Sequence, residues 1–259
     1  MTRPIGLAAL TVLELSPSDQ ISVAAAAGYD FVGLRLIPPV GQPLVHAIDV
    51  PEIEARLAAT GQRVLDVEVF RLSAETKVAD FEPALADAGR LGASQLLAHG
   101  ADADGSRLAD NLGRLCDLAG TYGLAVNLEP MPWVDVSNVA LAKRVLAAAG
   151  KKNAAMLIDP IHYFRAENRF EDLRGVACNY LQFCDARVER PADTKELIRQ
   201  AREDRMLPGE GGLDLAGLMR ALPQNLPISI ELPLARKLDP AARARLVLDA
   251  TRKFLDLSG

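Results

Sequence analysis

The sequence predicts an α/β chain folded as a (β/α)₈ barrel. Three observations carry that reading: a length of 259 residues, a recurring alternation of short apolar runs with longer amphipathic stretches, and polar residues at the ends of the later apolar runs. The length suits one barrel with a sizeable core, so residues 1–259 read as a single domain. Short apolar runs alternating with helical patterns are the mark of βα units on a parallel sheet.

Taken in order, the expected strands are Ile5 to Leu10, Phe31 to Leu36, Val64 to Phe70, Gln95 to His99, Ala125 to Glu129, Ala154 to Ile158, Tyr180 to Cys184 and Pro227 to Glu231. All are short, as strands buried on both faces are. Ser16, Pro17, Ser18 and Asp19 supply an N-cap, a proline at the first helical position and an early acid. Gly28, Gly61, Gly123 and Gly150 stand where helices should stop before the next strand. Each unit takes roughly 32 residues, a normal size for a βαβ repeat, with no repeat at the level of sequence. An open doubly wound sheet is the competing architecture, but no GxGxxG follows the first strand. The segment Ala186 to Gly212 breaks the rhythm with a charged helix (Thr194 to Arg205) and a Leu207-Pro208-Gly209-Glu210-Gly211-Gly212 turn. That turn reads either as a lid or phosphate-binding loop, or simply as a helix stop.

A formal charge of −5 and a pI near 5.3 disfavour nucleic acid, which asks for a basic stripe. A small molecule is the expected partner. Cys116, Cys178 and Cys184 are widely spaced with no CxxC, indicating neither a disulfide framework nor a thiolate zinc site, and a reducing, cytoplasmic compartment is expected. The first ten residues read as a strand, not as a secretory signal or membrane span. The outer helix faces permit a homodimer.

In such a barrel, chemistry collects at the C-terminal ends of the strands. The fifth strand ends in Glu129, the sixth in Asp159, the seventh holds Gln182 and the eighth ends in Glu231. Taken singly, each has an ordinary reading as a solvated strand end, a turn initiator before Pro160 or a hydrogen-bonded strand residue. Together, three carboxylates converging on one mouth repel one another unless a cation joins them. Carboxylates plus an amide oxygen make a hard ligand set, suited to one divalent metal, Mn²⁺ or Mg²⁺, with Co²⁺ as a functional substitute.

Asn127 to Pro130, Asp159 with His162 three residues on, Gln182 with Asp185, the Leu207 to Gly211 turn and Glu231 together resemble the xylose isomerase-like TIM barrel superfamily, the sugar phosphate isomerase/epimerase group. The resemblance spans nearly the whole chain. It implies that Glu129, Asp159 and Glu231 are metal ligands and that His162 is a substrate or catalytic residue. It also implies an isomerase or epimerase that removes a proton next to a carbonyl of a small sugar, sugar phosphate or hydroxy-keto acid, with Glu129 and Glu231 as the bases and His162 as general acid. Gln182 stands where the epimerases of the group place histidine, a feature shared with lyases similar to 3-dehydroshikimate dehydratases, so a metal-dependent lyase is the alternative. A barrel that has lost catalysis and serves as a binding subunit is the non-enzymatic one. An endonuclease IV-like reading is disfavoured by a count of three histidines and the acidic charge.

Arg35, Glu68, Arg71 and His99 are further candidates on the second to fourth strands. Arg35 or Arg71 suits a substrate carboxylate or phosphate, and an Arg–Glu68 structural bridge explains them equally well. Met131 and Trp133 are placed to wall the pocket, Arg165 and Arg187 to meet an anion, and Cys184 to pack as an unpaired thiol. His46 lies in a loop after the second strand.

Overall fold

The computed structural model describes residues 3–38 and 44–258. They form eight parallel strands with helices outside: β1 (Ile5–Leu7), β2 (Phe31–Arg35), β3 (Val64–Ser73), β4 (Gln95–Ala101), β5 (Ala125–Glu129), β6 (Ala154–Met156), β7 (Leu181–Phe183) and β8 (Ile228–Ile230). The helices are α1 (Pro17–Ala27), α2 (Val50–Thr60), α3 (Glu82–Arg90), α4 (Gly105–Thr121), α5 (Val139–Ala149), α6 (Pro160–Arg165), α7 (Thr194–Glu203), α8 (Leu215–Ala221) and α9 (Pro240–Ser258). The sheet runs β6-β5-β4-β3-β2-β1-β8-β7. A parallel bridge from Ile158 to Leu181 and a hydrogen bond from Gln182 N–H to the Ile158 carbonyl at 3.0 Å join β6 to β7. The architecture is a (β/α)₈ TIM barrel.

Local chemistry explains the elements. Ser16 caps α1, its hydroxyl accepting from Asp19 N–H, with Pro17 in the first turn. Gly28, Gly61 and Gly150 end α1, α2 and α5 in the left-handed conformation, which glycine adopts without a Cβ penalty; Gly123 follows the Tyr122 C-cap of α4 with φ 76°. Several strands are shorter than expected from sequence. β1 stops at Leu7 because Ala9–Val12 winds into a 3₁₀ turn, and β6 and β7 keep only three residues each. β3 is longer, with a register shift between Val67 and Phe70, an extra residue that bends the strand at the rim. The charged helix ends at Glu203, with Asp204 as its C-cap.

The apolar core fills the layer between sheet and helices, from Leu7, Val32 and Leu34 through Phe70, Leu96 and Val126 to Phe183 and Ile230. A second cluster, Leu65, Leu97, Leu157 and Tyr180, is packed separately. The inward-facing positions toward the strands' C-terminal ends are polar: Asp66, Glu68, Asn127, Glu129, Asp159, Gln182, Ser229 and Glu231 are all buried. Among the described residues no helix is long and apolar enough to cross a membrane.

Candidate active site

Glu129 closes β5, Asp159 follows β6 as the N-cap of α6, Gln182 is central in β7 and Glu231 follows β8. Parallel strands with a common inward face bring these four side chains to one mouth. Asp159 serves two purposes, since its Oδ1 accepts from Ile161 N–H at 2.9 Å with Pro160 opening the helix. The turn-initiating reading and the site reading of that residue are therefore both satisfied.

One ligand atom each from Glu129, Asp159 and His162 lie within 4.8 Å of one another, and all three residues are buried. His162 Nε2 is 3.8 Å from Glu129 Oε1 and 3.8 Å from Asp159 Oδ2. The sequence places this histidine as a general acid beside an all-oxygen ligand set; the structure brings it into the cluster itself. Trp133 meets it edge-on with ring centroids 4.8 Å apart, and Met131 is buried beside Glu129 in sequence.

Gln182 donates from Nε2 to Glu231 Oε1 at 2.9 Å. That leaves Gln182 Oε1 and Glu129 Oε1 as buried acceptors without a hydrogen-bond donor, together with His162 Nδ1. Orphaned buried acceptors are costly, and a cation accounts for them. The ligand atoms that cluster closely enough for one divalent ion are those of Glu129, Asp159 and His162, with the unengaged Gln182 Oε1 and the Glu231 carboxylate beside them.

Arg205 is the residue that strand-end reasoning misses. Its Nη1 donates to Asp159 Oδ2 at 2.6 Å and to the Glu231 carbonyl at 2.9 Å, and its Nη2 to Glu231 Oε2 at 2.5 Å. It lies beyond α7, far from any strand end in sequence. It reaches the mouth because Met206 pairs antiparallel with Asp185 and Arg205 N–H donates to the Pro233 carbonyl. The chain is thereby laid across the extensions of β7 and β8. Cys184 also faces this cluster, its Sγ 3.7 Å from Asp159 Oδ1 and 3.4 Å from Arg205 Nη1. Burial pushes this thiol up out of the thiolate range.

Burial and neighbouring carboxylates hold Glu129 and Glu231 well above the usual carboxylate range, with Arg205 opposing the shift. Burial also raises Asp159, but the Arg205 charge and hydrogen bond, with the Ile161 N–H, more than offset it and leave its pKa below the ordinary value. Burial pushes both His162 and His99 down to about 3, so both imidazoles are neutral near pH 7. His99 Nε2 lies 2.7 Å from Glu129 Oε2, a second-layer contact that orients the carboxylate.

Arg35 is paired with Glu68 through Nε at 3.1 Å and Nη2 at 2.6 Å, which is the structural bridge. Arg187 is exposed, 3.4 Å from Asp204, and is not brought among the mouth carboxylates. The Arg165 guanidinium is spent on the Val188 and Arg187 carbonyls and on Gln200 Oε1. His46 holds the Glu14 carbonyl.

The Leu207 to Gly212 turn already holds an anion of its own. Asp185 accepts from Gly209, Gly211 and Leu213 N–H at 3.0, 3.0 and 3.2 Å. These amides are the ones a phosphate-binding loop would offer, and here an internal carboxylate occupies them. A Cβ at Gly211 would stand 2.3 Å from the Ala186 carbonyl oxygen, so the loop is packed against the end of β7.

Comparison with known proteins agrees with this fold. A curated 3-dehydroshikimate dehydratase from Pseudomonas aeruginosa is 28% identical over 116 residues, 43% of this chain and 18% of the relative, so the chain matches less than a fifth of that protein's length. Among solved structures, the IOLI protein with a bound zinc atom superposes with a TM-score of 0.80 at 17% identity over 99% of both chains. The D-allulose 3-epimerase from a Methylomonas species superposes with a TM-score of 0.71 at 20% identity over 98% of both chains. Both share the fold. The family described as xylose isomerase-like TIM barrel matches residues 21–254, and with that span covered this chain belongs to the xylose isomerase-like TIM barrel family.

Proposed function

We propose that this chain is a divalent-metal-dependent isomerase or epimerase that moves a proton at a carbon next to a carbonyl, on a small sugar, sugar phosphate or hydroxy-keto acid. The observation that carries the reading is the pair Glu129 and Glu231, buried on separate strands and both held above the ordinary carboxylate range. A carboxylate with a raised pKa is a stronger base once ionised and can both take and return a proton near neutral pH. Two such groups on two sides of a substrate are what inversion of a carbon centre requires.

Glu129, Asp159, Gln182 and Glu231 would hold the metal. When bound there, it supplies Lewis-acid polarisation of the substrate oxygens, acidifying the intervening C–H. Glu129 removes the proton while His99 steadies its far oxygen. Glu231 returns a proton from the other side, its position fixed by Gln182 and Arg205. His162, a neutral imidazole, donates a hydrogen bond to the substrate oxygen, with Trp133 excluding water from its ring face. The oxygen-rich donors favour Mn²⁺ or Mg²⁺; histidine in reach of the cluster makes Co²⁺ an effective substitute.

Gln182 and the partial match to the dehydratase support a second reading, a lyase in which His162 or a glutamate takes the proton and a β-hydroxyl leaves as water. Elemental analysis after dialysis tests the shared premise. We expect one divalent ion per chain in wild type and loss of it in Asp159→Ala; absence of stoichiometric metal in wild type favours a non-catalytic barrel. Metal-loaded protein is then incubated with 3-dehydroshikimate and followed in the ultraviolet. No aromatic product is expected under the isomerase reading, and its appearance assigns the lyase.

A further inference from the structure

The floor of the mouth is crowded with carboxylates, yet arginines stand near it that no carboxylate engages. Arg71 on β3 is in register with His99 on β4, and His99 with Glu129 on β5. Residues in register on parallel strands share a face, so Arg71 extends the inward row that ends in the Glu129 carboxylate. Arg202 lies in the last turn of α7, three residues before Arg205, which reaches Asp159. Arg71, Arg35 and Arg202 are all within electrostatic reach of the His99 imidazole, which contacts Glu129.

These arginines differ in what occupies them. Arg35 is engaged by Glu68 and Arg205 by Asp159 and Glu231. Arg71 and Arg202 are exposed, and neither guanidinium has a hydrogen-bond or ion-pair partner among the described residues. A free guanidinium presents a planar fork of donors that matches the two oxygens of a carboxylate or phosphate.

We infer that the substrate is an anion, and that Arg71 and Arg202 receive its carboxylate or phosphate group at the rim of the mouth. This rests on the isomerase reading above for the rest of the site and adds the substrate's charge. The division of charge sets the orientation. The anionic end is attracted to the unengaged guanidiniums at the rim, so the carbonyl end is the one that enters over the floor. A neutral sugar has no such handle and leaves Arg71 and Arg202 unused.

The test is equilibrium binding by calorimetry to the metal-loaded protein, with three related probes: D-fructose, D-fructose 6-phosphate and 2-keto-D-gluconate. We expect at least one anion to bind about tenfold or more tightly than D-fructose, as charge-assisted bonds to a guanidinium provide. The advantage should shrink in Arg71→Gln and in Arg202→Gln, survive in part in Arg71→Lys, and weaken in about 0.5 M NaCl. Whichever anion gains more identifies carboxylate or phosphate. D-fructose binding as tightly as both anions, failure of both anions to bind, or a preference untouched by both glutamine variants overturns the inference. Deuterium uptake from D₂O by the bound probe is read in the same samples. Exchange without anion preference sinks the anion edge alone, and anion preference without exchange sinks the isomerase reading alone.

Discussion

Arg205 and Asp159 form a salt bridge of 2.6 Å in which both side chains are shut off from solvent. The residues lie 46 positions apart, and the bridge fastens the chain after α7 to the floor of the mouth. A buried ion pair adds little net stability over an apolar pair, but stripping away one partner leaves an uncompensated charge, at about 3–5 kcal/mol. Arg205→Ala is therefore expected to lose about that much in urea unfolding of the metal-free protein. A variant as stable as wild type would show that the bridge is not made in solution.

The raised carboxylates give a pH dependence whose sign follows from linkage. A carboxyl with a folded pKa above its unfolded value contributes stability that is full below about pH 4.3 and lost as pH rises through the folded pKa. Glu129 and Glu231 are of this kind. His99 and His162, lowered to about 3, act oppositely, contributing above about pH 6.5 and losing that contribution as pH falls. Above about pH 6.5 the histidine contribution is complete, and the raised carboxyls, Glu129, Glu231 and likewise Asp66, are the groups that act in the direction of loss. Metal-free protein should thus melt lower at pH 8 than at pH 6.5, and a bound divalent ion, which needs the ionised carboxylates, should remove the decline. Thermal scans with and without Mn²⁺ check this; equal slopes in both states would contradict it.

Asp185 is the anchor of the Leu207 to Gly212 turn. Asp185→Ala strips the acceptor from three loop N–H groups, and a typical hydrogen bond contributes about 0.5–1.5 kcal/mol net. We expect a loss of about 2–3 kcal/mol and faster proteolysis confined to this loop. Gly211→Ala should behave likewise, because the added Cβ meets backbone. Cleavage rates equal to wild type would mean the loop is held by something else.

The fold and much of the site are legible in the sequence for the same reason. A polar residue at the end of a buried strand is expensive without a partner, so Glu129, Asp159, Gln182 and Glu231 stand out against Leu128, Ile158, Phe183 and Ile230 around them. Arg205 has no such signal. It sits in a helix-to-loop segment rich in charge, and only the return of residues 205–206 along β7 and β8 gives it meaning. The Asp185 carboxylate filling the Gly/Pro turn is hidden similarly, since a nest for an external phosphate and one for an internal aspartate use the same residues. Cys184 shares the inward face of Gln182 by simple alternation, and its approach to Asp159 follows from that pattern.

In the proposed reaction Glu129 and Glu231 move a proton at one carbon of the substrate. The direct measurement is deuterium incorporation from D₂O into a bound ketose or keto acid, followed by NMR for wild type and for Glu129→Gln and Glu231→Gln, each loaded with metal to the same stoichiometry. Exchange is expected in wild type, with a fall by about two or more orders of magnitude in both variants, the contribution of a positioned general base. Exchange undiminished in either variant would contradict it.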